Sequence, residues 1–194
     1  MVIGIDINDV LRDYTDNFLK VYIENYNREY DLSGFDMWSN FMDIVFPFKS
    51  EEGYKRFVYE DYSFELFGKC PTCTKSMPTD LSTWMNKTLN EIDEEVEVVF
   101  FSPMEYGNSI GYTYFFISKL NVPVRQVILP SDSSKIWDVC DVVITADPYY
   151  LDTKPEGKKT IKINKSYNKD NKGDFEYSTF SKFLKDPENT TKLF

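Results

Sequence analysis

The feature that most constrains this chain is its opening run, Met1-Val-Ile-Gly-Ile-Asp-Ile-Asn-Asp-Val-Leu11. Val2, Ile3 and Ile5 form a short apolar stretch with a β-branched bias, the mark of a buried strand. The stretch stops at Asp6, and Asn8 and Asp9 follow within three residues. A carboxylate at the carboxyl end of a buried parallel strand stands where open α/β sheets place their ligand crevice. A strand ending in an ordinary polar turn has the same local pattern, so the rest of the chain has to decide.

The chain repeats the motif of strand, polar end and helix. Residues 13–30 have helical spacing without Gly or Pro, and Asp31-Leu-Ser-Gly34 is a stop signal. Residues 35–69 are dense in Phe, Tyr and Trp and fit helix-length pieces, one of them opened by Ser50 as an N-cap with Glu51 and Glu52 behind it. A helix follows Met77-Pro-Thr-Asp80, with Leu81, Trp84, Met85 and Leu89 on one face. The spacing then predicts a strand at 96–101, a helix near 108–120, and strands at 125–129 and 141–144. A fifth strand, more polar and placed at an edge, covers 159–164. Strands alternating with helices imply crossover connections and a parallel sheet, an α/β fold. The tail after residue 165 is polar, with one amphipathic piece at Tyr177, Phe180, Phe183 and Leu184.

Composition excludes whole classes of chemistry. There is no histidine, so Ser-His-Asp triads, Cys-His dyads and His-ligated zinc are ruled out. The net charge of −10 disfavours non-specific binding to a nucleic-acid backbone. Cys70-Pro-Thr-Cys73 has CxxC spacing but lies in a Gly/Pro/Thr-rich loop with no second pair, and reads as incidental rather than redox-active. No signal-length or membrane-length apolar run occurs, so the expected compartment is a reducing cytoplasm. Aromatics make up 17% of the chain. Such a surplus fits either a heavily packed core or surfaces that bind protein partners.

At the strand ends, Asp6, Ser102, Lys135 and Asp147 come in an order that could converge on one crevice: a nucleophile, a hydroxyl donor, a charge neutraliser and an acid. Ile3-Gly-Ile-Asp6-Ile-Asn8-Asp-Val-Leu11, Phe100-Phe-Ser102, Lys135 and Asp141-Val-Val-Ile-Thr-Ala-Asp-Pro148 resemble the four ordered motifs of the haloacid dehalogenase (HAD) superfamily. The helical insert after the first motif, and the short gap from Lys135 to the fourth, are most similar to the 5′(3′)-deoxyribonucleotidase branch. The resemblance implies a Rossmann-like core with a five-stranded parallel sheet, formed by residues 1–12 and 77–165. It also implies a small helical cap at 13–76, with 166–194 as a tail. By the same resemblance Asp6 is the nucleophile that forms an aspartyl-phosphate. Ser102 binds the phosphoryl oxygens, Lys135 holds Asp6 and phosphate together, and Asp6, the Asn8 position and the fourth motif hold Mg²⁺.

Two departures weigh against turnover. Asn8 occupies the place of the family's proton-donating aspartate, and an amide cannot donate and recover a proton at neutral pH. Thr145 and Ala146 stand where the metal acids belong, and Asp147 comes one step later. One step along a strand puts a side chain on the opposite face, unless a bulge at Ala146 returns it. The leading expectation is therefore a catalytically impaired HAD-fold protein. It would serve as a structural or protein-binding component, with a protein partner or a second copy of itself. The histidine-free, Asn-, Asp-, Lys- and Tyr-rich composition resembles that of phage proteins, which extends the expectation to a virion component. The alternatives are a Mg²⁺-dependent phosphatase of small phosphate monoesters and a phosphate-binding module without hydrolysis.

Overall fold

The computed structural model describes residues 1–25, 48, 50–91 and 96–193. The expected helix beyond Asn25 and the aromatic residues Phe35, Trp38, Phe41 and Phe46 lie outside them. One sheet organises the chain. Its strands are β1 (Val2–Asp6), β2 (Glu97–Phe101), β3 (Gln126–Ile128), β4 (Val142–Thr145), β5 (Lys159–Ile163) and β6 (Phe175–Tyr177). All pairs are parallel, in the spatial order β3-β2-β1-β4-β5-β6. This is the doubly wound order, and it reverses direction between β1 and β4, where such sheets open a crevice beyond their carboxyl ends.

Among the described residues the sheet has six strands where five were expected. The missed strand is β6, three residues inside the polar tail. It covers β5, which is therefore interior rather than at the edge. Its added neighbour explains why Lys162 is buried in mid-strand, where it donates to the Asn171 carbonyl and pairs with Glu176. The tail also packs, because Phe183 in the short helix Phe180–Lys185 meets Trp84 edge to face.

Alternation along β1 sorts its side chains between two layers. Ile3, Ile5 and Ile7 enter the larger core, with Met77, Leu81 and Trp84 of the helix Met77–Glu91 and Phe116, Ile117 and Leu120 of the helix Asn108–Leu120. Val2, Gly4 and Asp6 point the other way. There Val99, Phe101, Val143, Ile136, Trp137, Cys140 and Tyr150 form a second core. Gly4 has no room for a side chain, since a Cβ would stand 2.6 Å from Cys140 Sγ. This layer packs tightly directly beneath the position that Asp6 occupies two residues later.

The segment between β1 and the helix Met77–Glu91 has a core of its own. The helix Tyr14–Asn25 contributes Tyr14, Phe18, Val21 and Tyr22. The helix Glu51–Arg56 is opened by Ser50, whose hydroxyl accepts the Gly53 N–H. Two π-helical turns, Phe57–Asp61 and Phe64–Gly68, supply Phe57, Val58, Leu66 and Phe67. Tyr14, Phe18, Tyr22, Phe48, Phe57 and Phe67 meet ring on ring at centroid distances of 5.2–6.0 Å. Much of the aromatic surplus thus lies inside this cluster. The segment closes beside its own start: Asp13 N–H donates to the Pro71 carbonyl and Cys73 N–H to the Leu11 carbonyl. The Cys70–Cys73 loop is the return stitch, and burial pushes the Cys70 thiol up to about 12, which leaves it without thiolate character.

Candidate active site

Asp6 ends β1 almost fully buried, at 2% exposure. Its Oδ1 accepts the Asn8 N–H at 3.1 Å and its Oδ2 accepts the Thr145 hydroxyl at 2.7 Å. Thr145 closes β4, next to β1, so sheet register alone brings these two residues together. The same Thr145 oxygen accepts the Asp147 N–H at 2.9 Å. Asp147 then caps the short helix Pro148–Asp152, its Oδ1 accepting the Tyr149 N–H at 2.8 Å.

This arrangement corrects the expectation that Asp147 faces away. The strand stops at Thr145, so the alternation rule no longer applies two residues later, and no bulge is needed. The turn into the following helix brings Asp147 around to the crevice. Asp6, Asn8, Pro103, Met104, Asp147 and Tyr167 line one cavity of about 10 Å³ there, roughly the space of one bound water. Burial raises the Asp6 carboxyl well above the ordinary range, with the Asp147 charge next, while the Thr145 and Asn8 hydrogen bonds pull it back. Burial also pushes Asp147 up to about 6, against the hydrogen bond from Tyr149, with Asp9 adding to the rise.

Asn8 and Ser102 meet as well. Asn8 Nδ2 donates to Ser102 Oγ at 3.1 Å, and Ser102 is fully buried just past the end of β2. Asn8 Oδ1 accepts Arg12 Nε at 2.7 Å. Arg12 is the hub that the sequence reading missed. It has no exposed surface, yet its guanidinium also donates to Thr113 Oγ1 at 2.7 Å, to the Phe67 carbonyl at 3.4 Å and to Glu105 at 2.6 Å. It lies over the Phe67 ring with 4.8 Å from Cζ to the centroid. One side chain thereby joins the loop after Asp6, the inserted segment, the loop after β2 and the helix Asn108–Leu120.

Lys135 is not brought to Asp6. It ends a 3₁₀ turn, Ser133–Lys135, and points to solvent beside Asp138 at 3.4 Å. The reason is helical geometry: Ile136 and Trp137, the next two residues, turn inward to the core and leave Lys135 outside. Among the described residues, the lysine that pairs with the acidic loop is instead Lys165, 3.2 Å from Asp13 and 3.9 Å from Asp9. Burial opposes its charge, but Asp9, Cys73 and Asp13 outweigh that and hold its value up.

Asp9 sits in the left-handed region at φ 59°, a conformation that aspartate tolerates better than most residues. Its carboxylate accepts the Thr15 N–H, the Thr15 hydroxyl and the Tyr167 hydroxyl, so it anchors the turn instead of facing the cavity. Tyr167 is held there because Asn168, fully buried, donates to the Ala146 and Ile163 carbonyls. Nothing local in the sequence marks Arg12, Glu105 or Tyr167. Arg12 simply follows Val10 and Leu11 with no periodicity to place it.

The donor set for a cation is the carboxylate pair Asp6 and Asp147. Among the described residues neither is paired with a lysine or arginine, and no group of three or more metal-ligating side chains occurs. Mg²⁺ commonly takes one or two carboxylates and completes its shell with waters and substrate phosphate. Buried Asp6 and half-buried Asp147 fit that requirement, and the Asp147 charge raises the proton affinity of Asp6.

No protein-family model matches this chain, and no curated protein does. A solved structure from Burkholderia xenovorans LB400, described as a haloacid dehalogenase-like hydrolase, superimposes with a TM-score of 0.57. The match covers 98% of this chain and 97% of that one, at 6% identity. The fold is HAD-like. At this identity the likeness extends to the fold alone and carries no branch, substrate or catalytic state. It lends no support to a structural or virion role. No helix among the described residues is long and apolar enough to cross a membrane.

Proposed function

We propose that this HAD-fold chain is a Mg²⁺-dependent phosphatase of small phosphorylated molecules, with Asp6 as the nucleophile. The observation that carries the reading is the Asp6–Thr145–Asp147 chain of hydrogen bonds, which turns both carboxylates to one cavity at the sheet's reversal point. Asp6 attacks phosphorus and releases the leaving group, and water then hydrolyses the aspartyl-phosphate. Thr145 and the Asn8 N–H hold the carboxylate in one orientation for attack. Ser102, fully buried and outside the cavity lining, accepts from Asn8 Nδ2 and so fixes the direction of that amide. Mg²⁺, held by Asp6, Asp147 and an oxygen of the Asn8 segment, would supply the charge neutralisation that Lys135 does not reach.

The test is hydrolysis of p-nitrophenyl phosphate with and without Mg²⁺. The expected result is metal-dependent turnover that Asp6→Asn abolishes. A second reading, phosphate capture without hydrolysis, is favoured by the amide at position 8. It predicts stabilisation by inorganic phosphate with no turnover.

A further inference from the structure

We infer that the site acts on phosphoryl groups whose leaving group departs as a stable anion, such as acyl phosphates, phosphoanhydrides and aryl phosphates, rather than on alkyl phosphate esters. The inference rests on the proposed role of Asp6 as nucleophile and narrows its substrate class.

An alkoxide leaving group needs a proton as the P–O bond breaks, and every group around the cavity is committed elsewhere. Asn8 has no transferable proton, and Arg12 Nε takes its carbonyl oxygen while its amide points at Ser102. The Tyr167 hydroxyl donates to Asp9 at 2.7 Å, and the Thr145 hydroxyl donates to Asp6. Lys165 is paired with Asp13 and Asp9. Asp147 is assigned to the metal in the reading on which this inference rests. Ser102 can donate a hydrogen bond but cannot give up its proton at neutral pH.

The first step then proceeds without proton transfer. An Asp6 oxygen bonds to phosphorus, the P–O bond to the leaving group breaks, and that oxygen keeps the electron pair as carboxylate, phosphate or aryl oxide. In the second step water attacks phosphorus, the bond to Asp6 breaks, the carboxylate is regenerated, and both water protons leave with inorganic phosphate. Arg12 makes the arrangement durable. It locks Asn8 from a fully buried position tied to Glu105, Thr113 and Phe67, so the amide cannot rotate to another role without breaking that set.

The experiment measures kcat/KM of the full chain with Mg²⁺, corrected for uncatalysed hydrolysis. The substrates are acetyl phosphate, pyrophosphate, p-nitrophenyl phosphate, phenyl phosphate, glycerol 3-phosphate and thymidine 5′-monophosphate. The expected result is a steady fall with the basicity of the leaving group, the alkyl esters lying about 100-fold or more below p-nitrophenyl phosphate. Equal rates for alkyl and aryl esters would overturn the inference and leave the Asp6 reading standing. No turnover of any substrate, acetyl phosphate included, would overturn both.

Discussion

Arg12 and Glu105 form an ion pair at 2.6 Å with neither side chain exposed to solvent. The second carboxylate oxygen of Glu105 is buried without a hydrogen-bond partner, so the pair is not saturated. Removing one member of a buried pair leaves a charge with no counter-ion, which costs about 3–5 kcal/mol. Glu105→Gln is expected to lose stability on that scale in urea unfolding. Replacing both residues together, as Arg12→Met with Glu105→Leu, should recover part of the loss. A Glu105→Gln midpoint equal to that of the native chain would show that the pair contributes nothing.

Thr145 gives its proton to Asp6 and takes one from the Asp147 backbone. Thr145→Val keeps the shape and leaves two buried partners unsatisfied, at a cost of about 1–3 kcal/mol each. Thr145→Ser keeps both bonds and should lose less. Chemical denaturation of the two variants orders them, and the reverse order would contradict the proposed role of the hydroxyl.

Asp147 carries a pH signature. Its folded value, pushed up to about 6 by burial, lies above the unfolded aspartate value of about 3.9. A group with a raised folded value binds its proton more tightly in the native state. Its contribution is present below about pH 4 and is lost as pH climbs towards about 6. Asn also caps helices well, so Asp147→Asn removes the titration and keeps the cap. The melting temperature of the variant should gain on that of the native chain between those two pH values and hold a constant lead above them. A difference that stays flat across the whole range would refute the shift.

Burial pushes the Cys70 and Cys140 thiols each up to about 12. Both are therefore expected to resist iodoacetamide in the native protein at mildly alkaline pH and to react on unfolding. Mass spectrometry of alkylated peptides reads this directly. Fast native labelling of Cys70 would reopen a redox role for the Cys70–Cys73 loop.

How much was legible beforehand depended on how local the signal was. The strand at Val2–Asp6, the helix Asn108–Leu120 and the Ser50 cap follow from periodicity and side-chain chemistry within a few residues, and they stand where expected. Strand β6 did not, because three residues carry no period, and what makes Phe175–Tyr177 a strand is the edge of β5 beside it. Lys135 was assigned by its place in an ordered motif. Its direction was decided by which face of one helical turn the core claimed.

Asp6 at the end of an apolar strand, the alternation of strands and helices, and the absence of histidine belong to the amino-acid order itself, since each rests on neighbours in the chain or on composition. The pairing of Asp6 with Thr145, 139 residues away, the turning of Asp147 into the same cavity, and the burial of Arg12 among four segments were decided only by the tertiary structure. The physical reason is that a hydrogen bond or ion pair is set by distance in space. Spatial distance between remote residues exists only once sheet register and layer packing have closed the fold.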